Sequence, residues 1–190
     1  MKKINLPVEI SARHIHLSQK DLDKLFGESY KLKQKKLLSQ TGEFAAKEAV
    51  ILSKNKNMKL RIVGPVRQTS QIELSRTEAI KLKLDAPLEL SGNLDKVKTF
   101  LEVQGPKGKV KVKTIVPKRH IHLSASEAKK LGLKNNQKVS VQVLGGRGLI
   151  FENVIIRIKE NFNLACHLDT DEANACGLNK VCGMGKLLIK

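Results

Sequence analysis

The chain has 190 residues, enough for one large or two small domains with a buried core. Its 41% hydrophobic and 28% charged residues suit a soluble globular protein, and no apolar run nears the roughly 20 residues that cross a bilayer. The net charge of +18 invites nucleic acid as a partner, yet only seven of the 36 basic residues are arginine, aromatics are 3%, and the lysines are spread along the chain. A solvated lysine-rich surface, or a small polyanionic substrate, accounts for the charge better than a specific nucleic-acid interface.

The start, MKKINLPVEISARH, lacks the apolar stretch of a signal peptide, so a cytoplasmic chain is expected. Residues 13–18 read RHIHLS, and residues 119–124 read RHIHLS again. A β-prone segment precedes each copy, Pro7 to Ile10 and Lys109 to Val116. A short helical pattern follows each, with Ser18-x-x-Asp21 and Ser124-x-x-Glu127 resembling capping boxes. Leu22 and Leu25 in one copy, and Ala128 and Leu131 in the other, fall on the apolar face. Each His-x-His is therefore expected at a strand-to-helix junction.

Between the copies, AVILS, MKLRIV and KTFLEV read as strands, and SRTEAIKLKL (75–84) reads as a helix. GPKGK (105–109) is the nearest thing to a boundary turn. KVKVKTIV (109–116) and KVSVQV (138–143) alternate at period 2, and GGRG (145–148) joins the latter to LIFENVIIRI (149–158) as a hairpin. Many short strands, few helices and an internal duplication predict a mainly β protein of two small barrels capped by short helices.

All five histidines, His14, His16, His120, His122 and His167, lie in the two repeats or in HLDTDEANA (167–175). Residues i and i+2 of extended backbone share a face, so each His-x-His offers two imidazoles to one point, as a metal-binding strand requires. Two sites of two histidines each need further ligands. His167 can complete one, and a carboxylate must complete the other. GPVRQTSQIELS (64–75) supplies Glu73 as a candidate, together with Arg67, notable because arginine is scarce here. GMGK (183–186) is no phosphate loop, since Lys180 stands where the pattern needs glycine. Asp169 and Asp171 read as helix-capping residues. Cys166, Cys176 and Cys182 are odd in number and form no C-x-x-C, so free thiols are expected; Cys166 adjoins His167.

SARHIHLS, LSQTGEFAA, LRIVGPVRQTSQIELS, PKRHIHLS and HLDTDEANA, in this order, resemble the PduL-type phosphate acyltransferases (phosphate propanoyltransferases) over nearly the whole chain. The resemblance implies two β-barrels sharing strands: residues 3–12 with 118–190 in the first, residues 13–117 in the second, and a small two-stranded sheet at about 45–55 over the active site. It implies two metal ions, usually zinc, held between the barrels. His14, His16 and Glu73 would hold one, and His120, His122 and His167 the other. Arg67 matches the arginine that contacts phosphate and is the catalytic candidate. Ser11, Lys36, Arg61, Val63, His167 and Asn174 match positions that contact coenzyme A, with Val63 in place of a more usual leucine. Thr41 stands where proline is usual. With so short a stretch before His14, the N-terminal helix of microcompartment-packed members is not expected. The implied activity is reversible transfer of a propanoyl or acetyl group between coenzyme A and phosphate, in a homodimer with no membrane and no specific nucleic-acid partner. No Ser-His-Asp or Cys-His pair is evident, so direct transfer is expected over a covalent acyl-enzyme. A metal-dependent hydrolase is the alternative on the same ligands, although H-x-H-x-D-H is absent after His16.

Overall fold

The computed structural model describes residues 2–178 and 182–189. In chain order the elements are β1 (Lys2–Ser11), β2 (His14–His16), α1 (Gln19–Phe26), β3 (Gln34–Leu37), β4 (Phe44–Leu52), β5 (Asn55–Gly64), β6 (Gln71–Glu73), α2 (Arg76–Lys81), β7 (Leu88–Glu89), β8 (Phe100–Gln104), β9 (Lys109–Pro117), β10 (His120–Leu123), α3 (Ala125–Leu131), β11 (Lys138–Val143), β12 (Leu149–Ile158), β13 (Ala165–Asp169), α4 (Thr170–Ala175) and β14 (Cys182–Ile189). The protein is mainly β, and its described residues form two closed six-stranded barrels and four short helices. Among the described residues no helix is long and apolar enough to cross a membrane.

The chain divides into two compact units. One holds the N-terminal segment through Ala12, residues 39–41, and the chain from Lys118 onward; the other holds Arg13–Leu38 and Gly42–Pro117. The first is a closed barrel ordered β1-β13-β10-β12-β11-β14. The second closes as β9-β6-β2-β5-β4-β8, since β8 pairs with both β4 and β9; β3 and β7 extend it at the edges.

These two rings correspond strand for strand. β10 runs parallel to β12 and antiparallel to β13, as β2 runs parallel to β5 and antiparallel to β6. β1 with β13 and β9 with β6 are parallel; β1 with β14 and β9 with β8 are antiparallel. The strand leading into the first His-x-His is β1, and it lies in the barrel of the second copy. The strand leading into the second is β9, and it lies in the barrel of the first. The sharing of strands is this reciprocal exchange.

Alternation decides which face of each strand meets the core. Leu6, Val8, Ile121, Leu123, Cys166, Leu168 and Leu187 fill the first barrel. Ile15, Ile62, Ile72, Val110 and Val112 fill the second. The polar residues between them, including every histidine, therefore project from the outer faces. Residues 45–55 do not form a sheet of their own. They run through β4 and the turn into β5, and they are paired with β5 and β8 in the barrel wall. GPKGK is the β8–β9 hairpin turn inside one unit, with the Gly105 N–H donating to Gly108 O at 2.9 Å.

The helix caps follow the sequence. Ser18 accepts from the Asp21 N–H, and Ser124 and Glu127 form a full capping box. Asp169 caps α4 in the same way with Glu172. The helix expected over 75–84 ends at Lys81. Lys83 turns left-handed at φ 53°, and the Leu84 N–H closes on Ala79 O at 2.9 Å, a Schellman-type stop.

Candidate metal centres

The short strand HIH is held on both sides by hydrogen bonding, which sets its two imidazoles. His14 is the register partner of Glu73, and His16 of Gln71. In the other barrel His120 is the register partner of His167. The equivalence of the rings puts Glu73 and His167 at corresponding positions. Each lies two residues before the N-cap of a short helix, Ser75 for α2 and Asp169 for α4. A further duplicated tie fixes each junction: Arg13 donates to Glu78 at 2.6 Å, and Arg119 donates to Glu172 at 2.6 Å.

Two clusters result. His14, His16 and Glu73 bring one ligand atom each within 4.8 Å of one another, and so do His120, His122 and His167. In the first, His14 Nε2 lies 3.1 Å from His16 Nε2 and 3.7 Å from Glu73 Oε2. In the second, the ring centroids are 4.6 to 5.2 Å apart, and Phe162 stacks on His122 at 4.0 Å.

The donor sets fit a metal. His16 Nδ1 lies 3.1 Å from Val63 O, and His120 Nδ1 lies 2.9 Å from Lys118 O. A carbonyl accepts only from an N–H, so each ring keeps its proton on Nδ1 and leaves the Nε2 lone pair for an ion. Both ring nitrogens of His122 are buried without a hydrogen-bond partner among the described residues, and His167 Nε2 has the Glu9 carboxylate at 3.4 Å. Such orphaned polar atoms are costly unless something binds them. Three nitrogens, or two nitrogens and a carboxylate, form a zinc-type set with a position left open.

Burial, with repulsion from His14 and Arg67, holds His16 well below the ordinary imidazole range. Burial, then His120 and His167, does the same for His122. Both rings are thus kept in the neutral form that ligation needs. A stability consequence follows for the metal-free chain. In the unfolded state these imidazoles titrate near 6.5, so below that pH the unfolded chain binds more protons and stability falls. Asp169, raised by burial to about 6 from 3.8, works in the opposite sense in that lower window, but it is one group against two. Chelated protein is expected to unfold at lower denaturant at pH 5.5 than at pH 7.5; an equal or higher midpoint at pH 5.5 contradicts this.

Arg67 sits on the segment between β5 and β6, with its N–H donating to Leu17 O at 2.8 Å. Its guanidinium donates to Ser91 Oγ at 3.2 Å and to Glu43 Oε1 at 3.1 Å. Gln71 Nε2 donates to the same Ser91 oxygen at 2.7 Å and also to Glu73. A chain of contacts therefore joins Arg67 to the metal-cluster carboxylate. Lys36, Ala45 and Val63 form one register row across β3, β4 and β5, and Arg61 is the partner of His14. Ser11 ends β1 opposite Asp169, and Asn174 lies exposed on α4. Cys166 faces the barrel core and burial pushes its thiol up, so it is no nucleophile; Cys176 is buried and Cys182 exposed, all three free. GMGK forms part of β14.

Gln71, Ser91, Glu43 and Phe162 escaped the sequence reading. For Gln71 a signal existed: QIE repeats the i, i+2 spacing of HIH and places Gln71 beside Glu73 on one face. Ser91 carries no such mark, because its role depends on a turn that Gln71 fastens through the Gly92 N–H at 2.7 Å.

A family model described as phosphate propanoyltransferase matches residues 7–179. The chain is 41% identical over 187 residues to the phosphate propanoyltransferase of Clostridioides difficile, covering 94% of this chain and 87% of that one. It is 44% identical over 183 residues to that of Thermotoga maritima, with the same coverage. It is 40% identical to that of Salmonella typhimurium, covering 99% and 91%. These matches show that the chain belongs to the phosphate propanoyltransferase family, a family of acyltransferases.

Proposed function

We propose that this chain catalyses reversible transfer of a short acyl group, propanoyl or acetyl, between coenzyme A and phosphate, with two divalent metal ions, zinc foremost. The observation that carries the reading is the pair of three-residue clusters at corresponding positions of the two barrels. His14, His16 and Glu73 would hold one ion, and His120, His122 and His167 the other. When bound, the ions supply Lewis acidity, which keeps a thiol deprotonated near neutral pH and stabilises sulfur as a leaving group.

The protein's own groups do the rest. In the forward direction a phosphate oxygen forms a bond to the acyl carbon and the carbon–sulfur bond breaks, giving acyl phosphate and coenzyme A. Arg67 offers two N–H groups in a plane, suited to two oxygens of one phosphate. Its partners in the structure, Glu43 and Ser91, hold that plane in place. Gln71 braces Ser91 and Glu73 together. Ser11, Lys36, Arg61, Val63, His167 and Asn174 are the coenzyme A contacts in this reading. A cytoplasmic homodimer completes it.

The test is coenzyme A release from propanoyl-CoA and acetyl-CoA in the presence of phosphate, before and after chelation. Phosphate-dependent release that is lost on chelation and restored by zinc is expected. Release that ignores phosphate would instead indicate a hydrolase.

A further inference from the structure

The strand exchange has a chemical effect on the three-histidine cluster. β1 runs beside β13, and Glu9 is the register partner of His167. Val8 and Cys166, the flanking pair in that register, point into the barrel and are fully buried. Glu9 therefore shares the outer face with His167. Glu9 Oε2 lies 3.4 Å from His167 Nε2, and the Ser39 hydroxyl donates to that carboxylate oxygen at 2.6 Å.

At 3.4 Å the contact is an ion-pair distance, longer than an ordinary N–H···O hydrogen bond. It also matches the spacing of two donors around one ion. Donors at about 2.0–2.1 Å from a tetrahedral zinc stand roughly 3.3 Å apart. The other cluster has donor spacings of 3.1 and 3.7 Å and includes a carboxylate.

We infer that Glu9 is a fourth protein ligand of the ion held by His120, His122 and His167, oriented by Ser39. The inference rests on the metal reading above. Three neutral imidazoles leave the ion's full charge on a buried face, and one carboxylate lowers it, as Glu73 does at the corresponding cluster. The Ser39 hydroxyl fixes the carboxylate as outer-shell donors commonly fix a ligand.

The experiment uses the full chain carrying His14→Ala and His16→Ala, which leaves one ion site. Zinc affinity is measured by competition with a chromophoric chelator, and visible absorption is recorded with cobalt(II) in its place. Adding Glu9→Gln is expected to weaken zinc by at least about 10-fold and to alter the cobalt bands. Ser39→Ala, which leaves every ligand in place, is expected to weaken zinc in the same direction by less. Unchanged affinity in Glu9→Gln overturns the inference and leaves the metal reading standing. Weaker affinity with an unchanged cobalt spectrum puts Glu9 outside the coordination shell and also overturns it. A background chain that binds no ion overturns both readings.

Discussion

Arg67→Ala is expected to lower turnover with phosphate by about 100- to 1,000-fold, the range for losing one preorganised charge partner of a reacting oxyanion. The fold should scarcely notice. Its ion pair with Glu43 is part-exposed, with side chains 34% and 27% accessible, and such pairs contribute at most about 1 kcal/mol. Metal content should also hold, since the hydrogen bonds that link Arg67 to Glu73 run through Ser91 and Gln71. The loss should fall on the use of phosphate, seen as a raised KM for phosphate together with reduced kcat. Arg67→Lys restores charge without the planar two-point contact, so it should recover only part. A lysine variant as active as the parent would reduce Arg67 to a point charge.

His122→Leu is expected to remove one ion per chain and to cut turnover about 1,000-fold or more, corresponding to about 4 kcal/mol of lost charge stabilisation. Stability should move in the opposite sense to activity once metal is absent. In the metal-free parent, both nitrogens of this buried ring lack partners, which costs about 1–3 kcal/mol. Losing the stack on Phe162 costs about 0.5–1.5 kcal/mol, the smaller effect. The metal-free variant should therefore melt at or above the metal-free parent, while the holo variant gains less from zinc. Melting curves with and without chelator decide it. A metal-free variant that melts well below the parent would show that the ring is held by packing and not reserved for an ion.

Much of the candidate site was legible because extended backbone has a period of two. HIH had to present both rings to one side whatever the fold, and the duplication made chance a poor explanation. Arg67 stood out by the scarcity of its type. The capping residues Ser18, Ser124 and Asp169 were readable because a cap is local chemistry. Contacts that depend on which strand lies beside which were not readable. Glu9 meets His167 only because β1 leaves its own repeat, and alternation within KKINLPVEIS says nothing about that destination. Helix α2 stopped short because Lys83 adopts a left-handed turn, which no propensity assigns to lysine. The resemblance implied a small two-stranded sheet at about 45–55, and pairing with β8 builds those residues into the barrel.

The exchange of β1 also orders events during synthesis. The middle barrel has all its strands once Pro117 has been made, so it can close while the chain is still growing. β1 is made first and pairs last, because its neighbours are β13 and β14, with Lys2 opposite Ile189. Throughout that interval it is an open strand edge, a template for wrong partners. Its sequence carries the usual protection: Lys2 and Lys3 at one end, Pro7 without an N–H in the middle, and Glu9 beyond. A chain permuted to begin at Lys118, with the old termini joined, would make each barrel from one continuous stretch and remove the wait.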